Sequence, residues 1–150
     1  MSEPGGVEDG TLIRVLLDAT AVRAFGQHEA VGELIGEING EGATFATTTA
    51  ALAEAIAAGA DRALIDILRA NAGCLVVAST LDWGGLGRFM DVTRPAADAG
   101  ASAGLHDVAD SDLVMLAMRT DAFILTEDPD RYTSIVPSVV TIQLEEPWTD

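Results

Sequence analysis

The sequence predicts an α/β domain built on a central, mostly parallel sheet, and three observations carry that expectation. Short apolar runs bounded by turn residues alternate with longer stretches of helical periodicity, the pattern of strand–helix units. The 150 residues match the length of one domain. Apolar residues make up 49% of the chain at a mean hydropathy of +0.29, enough to cover both faces of such a sheet.

Residues 11–17 read as a first buried strand. In residues 21–39, apolar positions at Val22, Phe25, Val31, Leu34, Ile35 and Ile38 are interrupted by Gly26, which predicts two short helices rather than one. Residues 43–48, rich in β-branched threonine, form a second strand. Two helices follow over 49–58 and 61–71, and a third strand over 74–78. Residues 83–104 carry glycines at 84, 85 and 87 and then Pro95, so short helices or a mobile loop are expected there. A strong helix over 105–119, a strand over 122–126, a short helix over 129–135 and a last strand over 139–144 complete the domain, residues 11–144. Residues 1–10 and 145–150 are expected to be tails.

Charge excludes several functions. There are 24 acids against 8 bases, a net charge of −16, and every base is arginine. Without lysine there is no P-loop and no Schiff-base chemistry. Bulk charge also opposes non-specific nucleic-acid binding. Cys74 stands alone, so neither an internal disulfide nor a multi-thiolate zinc site is available. With no apolar stretch near the ~18 residues of a membrane helix and an acidic N-terminus unlike a signal peptide, the sequence predicts a cytoplasmic protein with no membrane association.

An acidic chain invites the question of cations, and context selects the acids that matter. Asp18 directly follows Val15-Leu16-Leu17, at the carboxyl end of the first strand, where open α/β sheets hold their ligands. Capping the next helix is the competing reading. Asp112 falls on the face that Leu105, Val108, Ala109, Met115 and Leu116 share on a helical wheel, with Asp107 and Asp110 pointing away. A buried carboxylate must be paired, protonated or cation-bound, and Arg119 is the alternative partner to a metal. Asp128 sits just past the fourth strand, before Pro129, as a site residue or an N-cap. Glu54 is isolated in a small, apolar helix and is otherwise solvent-facing. Asp110 and Asp130 are further candidates.

Carboxylates converging on one cleft repel one another unless a divalent cation neutralises them. Oxygen-only ligation suits Mg²⁺ or Mn²⁺, and the matching chemistry is phosphodiester hydrolysis. Leu16-Leu17-Asp18-Ala19-Thr20, the helix around Glu54, the stretch from Ala109 to Ala117 and the run from Phe123 to Asp130 resemble the PIN-domain ribonucleases, in particular the VapC-like toxins of type II toxin–antitoxin systems. The resemblance covers residues 12–144. It implies a PIN-like three-layer α/β/α sandwich and a metal-dependent endoribonuclease. It places the metal-binding and catalytic acids at Asp18, Glu54, Asp112 and Asp128, with Thr20 and Thr126 at hydroxyl-bearing positions. Mg²⁺ or Mn²⁺ is the implied cofactor, RNA the substrate, and a cognate antitoxin and a second copy of the chain the partners. The alternative is a catalytically silent protein-binding module with the same fold. A metal-dependent phosphatase acting on a small phosphoester is a third reading. RNA would need a local arginine cluster drawn from Arg14, Arg23, Arg88, Arg94, Arg119 and Arg131.

Other residues carry no chemistry on this reading. His28 and His106 belong at the surface or at helix ends, Gly84-Gly85-Leu86-Gly87 lacks the P-loop continuation and serves as a hinge, and no serine has an acyl-transfer setting. Cys74 is a small core residue.

Overall fold

A computed structural model describes residues 12–78, 82–98 and 108–144, with the backbone alone for 94–98. Among the described residues, strands and helices follow in the order β1 (Ile13–Leu17), α1 (Ala19–Ala24), α2 (Glu29–Gly40), β2 (Thr44–Thr48), α3 (Thr49–Ala57), α4 (Arg62–Ala70), β3 (Cys74–Val77), α5 (Trp83–Asp98), α6 (Val108–Thr120), β4 (Phe123–Thr126), α7 (Asp130–Thr133) and β5 (Thr141–Gln143). Gly26 separates α1 from α2 with φ at +84°, a backbone conformation that glycine adopts without a steric cost. The two expected tails and residues 99–107, with His106, lie outside the described residues.

The sheet runs β3-β2-β1-β4-β5 and every neighbouring pair is parallel. Parallel neighbours require crossover connections, which the intervening helices supply. The chain lays β2 and then β3 to one side of β1, returns, and lays β4 and β5 to the other. That reversal opens a crevice beyond the carboxyl ends of β1 and β4.

Two cores fill the space on either side of the sheet, giving the α/β/α sandwich. On one face Val15, Leu17, Phe45 and Leu125 pack with Val22 of α1, Val31, Ile35 and Ile38 of α2, and Ile65 and Leu68 of α4. On the other, Leu16, Ala46 and Ile124 meet Leu113, Val114 and Leu116 of α6 and Tyr132 of α7. The β1–β2 pairing steps from Ile13↔Thr44 to Val15↔Phe45, so Arg14 is an extra residue in β1. This bulge puts Ile13 in the second core with Leu16, although plain alternation would place it beside Val15.

Two expectations need correction. The glycines at 84, 85 and 87 are not a hinge: they lie in the first turns of α5, one continuous helix from Trp83 to Asp98. Asp82 starts it, its carboxylate accepting from the Gly85 N–H at 2.9 Å and its carbonyl from the Leu86 N–H at 3.0 Å. Such capping offsets the poor helix propensity of glycine. Nor does Asp110 point away from the core, being only 4% exposed. Helix α6 touches β1, β2, α3, α5 and α7, so it is buried on most of its circumference and a one-sided wheel cannot sort its acids.

Helix α6 ends with Asp121 at φ +60° and the Ala122 N–H bonded to the Ala117 carbonyl at 3.2 Å. This is the left-handed helix terminus that glycine fills best. Replacing Asp121 by Gly removes the side-chain strain there, and thermal unfolding should move upward by roughly 2–4 °C, for a gain of about 1 kcal/mol.

Candidate active site

The crevice is built from the ends of β1 and β4. Leu17 pairs with Leu125, and the Asp18 N–H donates to the Leu125 carbonyl at 3.3 Å. Asp18 is extended, with ψ at −177°, and so ends the strand and begins α1. Its Oδ1 accepts from the Ala21 N–H at 2.9 Å, an N-cap. The two readings of Asp18 from sequence are therefore compatible, because capping uses one oxygen and leaves the other for the crevice.

Two hydroxyls brace this corner. Thr20 Oγ1 donates to Asp18 Oδ1 at 2.6 Å and accepts from the Glu127 N–H at 2.9 Å. Thr126 Oγ1 accepts from the Asp128 N–H at 3.0 Å and lies 3.5 Å from Thr20 Oγ1. Thr126 is completely buried. The threonines thus join the end of β1 to the turn after β4.

The second oxygen of Asp18 leads across the crevice. Tyr132 donates its hydroxyl to Asp18 Oδ2 at 2.7 Å, and the same hydroxyl oxygen is 3.5 Å from Asp110 Oδ1. Asp110 Oδ2 accepts from Arg131 Nε at 2.7 Å, and Arg131 Nη2 stands 3.8 Å from Glu54 Oε2. The chain of contacts therefore runs Asp18, Tyr132, Asp110, Arg131, Glu54, drawing on β1, α7, α6 and α3. Asp18 and Tyr132 are each 1% exposed, so the polar groups at this end must be satisfied inside the protein. Arg131 and Glu54, each with about a third of the side chain exposed, form the open end.

Electrostatics follow from that arrangement. Burial pushes the Tyr132 phenol well above its ordinary range, and the charges of Asp18 and Asp110 and the bond to Asp18 push it the same way. Burial acts to lower the affinity of Arg131 for its proton. The hydrogen bond and charge of Asp110, then Tyr132 and Glu54, outweigh that and hold the guanidinium firmly protonated.

Of the four acids that the resemblance names, Asp18 and Glu54 belong to this chain of contacts, and so does Asp110, a further candidate from sequence. Asp112 is buried too, but it lies two residues beyond Asp110, about 200° round the helix. The α6 carboxylate that meets Tyr132 is therefore Asp110. Asp128 is exposed past the end of β4, where its carbonyl accepts from the Arg131 N–H at 3.1 Å and starts the turn into α7. Asp130 is exposed in the first turn of α7. Among the described residues, no three His, Cys, Asp or Glu side chains are grouped closely enough to hold a metal by themselves. Sequence reasoning did not single out Tyr132, and it placed Arg131 only among residues for holding RNA. The available signal was that the chain's one tyrosine directly follows an arginine just past the strand-end acids.

The remaining candidates are structural. His28 caps α2, its Nδ1 accepting from the Ala30 N–H at 3.1 Å, and it is buried rather than at the surface. Burial pushes the Cys74 thiol up to about 11 against the opposing charge of Arg69, so it is a poor nucleophile. Arg14 is bonded to Glu41, and Arg62 and Arg69 both pair with Asp66. Arg23, Arg88 and Arg119 are exposed.

Solved structures share this architecture. A VapBC2 structure from Rickettsia felis, bound to a DNA fragment from the VapBC2 promoter, matches with a TM-score of 0.60 at 12% identity, covering 89% of this chain and 100% of the other. PAE2754 from Pyrobaculum aerophilum matches with a TM-score of 0.56 at 16% identity, covering 87% of this chain and 92% of the other. The chain has a PIN-like fold. No family model matches the sequence of this PIN-like domain, and no curated protein matches it either. No helix among its described residues is long and apolar enough to cross a membrane.

The pH dependence of the PIN-like domain follows from Tyr132. Its proton affinity is higher folded than unfolded, where the phenol titrates near 10.0. The native state then binds more protons, so the contribution of Tyr132 is fully present below pH 10 and is lost as pH rises above it. An alkaline titration should show tyrosinate absorbance emerging together with unfolding. Tyr132→Phe should lose that coupling and cost about 1–3 kcal/mol near neutrality in denaturant melts, because Asp18 loses a buried donor.

Proposed function

We propose that this PIN-like domain is a divalent-cation-dependent endoribonuclease that hydrolyses RNA phosphodiester bonds. The observation that carries the reading is the approach of two buried carboxylates, Asp18 and Asp110, on either side of one tyrosine hydroxyl at the switch point of the sheet. Magnesium commonly takes only one or two protein carboxylates, with waters and substrate phosphate completing its shell. The donor set of Asp18 and Asp110 fits that chemistry, which is met without a third protein ligand. When bound, the cation polarises a phosphate oxygen and lowers the pKa of a water.

The chain's own groups divide the remaining work. Thr20 and the Ala21 N–H fix one oxygen of Asp18, and Tyr132 fixes the other, so this carboxylate is pre-oriented. Glu54, at the open end, is placed to accept a proton from the attacking water. The reading takes Asp110 in place of Asp112 on α6 and leaves Asp128 as a rim acid near the incoming phosphate. The VapBC2 likeness supports a cognate antitoxin as partner, and a net charge of −16 favours a basic one. A homodimer and a cytoplasmic setting belong to the same reading.

A second reading keeps the fold without catalysis, as a module that binds a basic protein. It is favoured by Arg131, which already neutralises part of the acidic cluster. Purified protein incubated with RNA and Mn²⁺ separates the two. Cleavage should occur, and Asp18→Asn and Asp110→Asn should each reduce it by at least about a hundredfold while leaving the far-UV spectrum unchanged. A folded Asp112→Asn variant should keep most of the activity. Undiminished cleavage by Asp18→Asn would sink the assignment.

A further inference from the structure

We infer that Arg131 is a built-in counter-ion that closes the carboxylate cleft and must swing out before a divalent cation can be held there. The inference rests on the cation-binding reading of Asp18 and Asp110, and goes beyond it by assigning control of the site to a residue of this chain.

Three facts point the same way. Arg131 Nε sits 2.7 Å from Asp110 Oδ2, so it uses the oxygen that a hard cation would otherwise take. Its Nη2 reaches towards Glu54, 3.8 Å away, so one guanidinium spans the mouth between α6 and α3. The charges are unequal. Asp18, Glu54 and Asp110 contribute −3 and Arg131 contributes +1, so the cluster keeps −2. That residual charge attracts a divalent cation, while the guanidinium repels it and blocks one of its ligands.

The local structure also allows the motion. Arg131 and Tyr132 are neighbours in α7, a helix of four residues. Tyr132 is 1% exposed and pinned to Asp18, and it packs in the second core. The Arg131 side chain is 33% exposed, on the solvent side of Asp110. Rotation about its side-chain bonds frees Asp110 without moving the backbone that holds Tyr132. Displaced, the guanidinium remains at the rim as a cation for an RNA phosphate. This matters in a chain where Arg14, Arg62 and Arg69 are already paired with acids.

Mn²⁺ titration of the purified full chain tests this, read as melting temperature and as the difference absorbance of the single tyrosine, with no RNA present. Wild type should bind Mn²⁺ weakly. Arg131→Gln should bind it at least about tenfold more tightly, although it melts lower than wild type when metal-free. A purely supporting role for Arg131 predicts the reverse, weaker binding in the variant. Asp18→Asn serves as the control and should abolish the response. If wild type responds, the control does not, and Arg131→Gln binds equally or less tightly, the gate is overturned and the cation site stands. If neither wild type nor Arg131→Gln responds at millimolar Mn²⁺, the cation site itself fails and the gate with it. Should Arg131→Gln not fold, Arg131→Met is measured instead. Methionine keeps much of the apolar stem while removing both the charge and the fork, so binding tighter than wild type supports the gate, and equal or weaker binding overturns it.

Discussion

A carboxylate withdrawn from water at the end of the central strand is the constraint from which the rest of the site follows. Asp18 is 1% exposed, and a group so placed is tolerated only when its oxygens find donors. The first helix supplies one, Thr20 another and Tyr132 a third. Two of these donors belong to α1 and the third to α7, and Thr20 in turn accepts from the Glu127 N–H, so satisfying one side chain fixes α1, the β4 turn and α7 relative to one another. Tyr132 then approaches Asp110, whose own charge draws in Arg131. The acidic cluster is thus the end of a sequence of local requirements, each created by the one before.

Topology decides where those requirements arise. With β1 at the middle of an all-parallel sheet and β4 laid beside it on the return, two strand ends lie side by side at the switch point of the sheet. Helices α3 and α6 start or pass close enough to contribute Glu54 and Asp110. Fold and chemistry remain separate claims, however: the likeness to the Rickettsia and Pyrobaculum structures concerns the path of the backbone. The proposed reaction rests instead on which side chains that path brings together.

Much of the architecture was legible because buried parallel strands leave a plain mark. Five apolar runs ended by turn residues correspond to the five strands described, and Gly26 marked the break between α1 and α2. Asp18 was legible for the same reason, since a polar residue ending such a run has few places to go. The choice between Asp110 and Asp112 was not. A wheel assumes one wet side, and α6 has neighbours on most sides, so both of its acids are buried and a wheel cannot rank them. Residues 83–98 misled for the opposite reason: glycine content argued for short helices or a loop in place of the one continuous helix that Asp82 starts and Leu86 and Phe89 anchor. The partnership of Tyr132 with Asp18 spans 114 positions, a separation at which no local pattern carries information.

The double duty of Asp18 has a consequence for how substitutions at this position are interpreted. One oxygen organises the start of a helix and the other accepts from Tyr132, so truncating the side chain removes the cap and the proposed cation ligand at once. Asparagine retains an acceptor for the helix amide and surrenders only the ionic character. Comparing the amide with the alanine substitution therefore separates what this position does for folding from what it does for chemistry, a distinction that a single knockout would conceal.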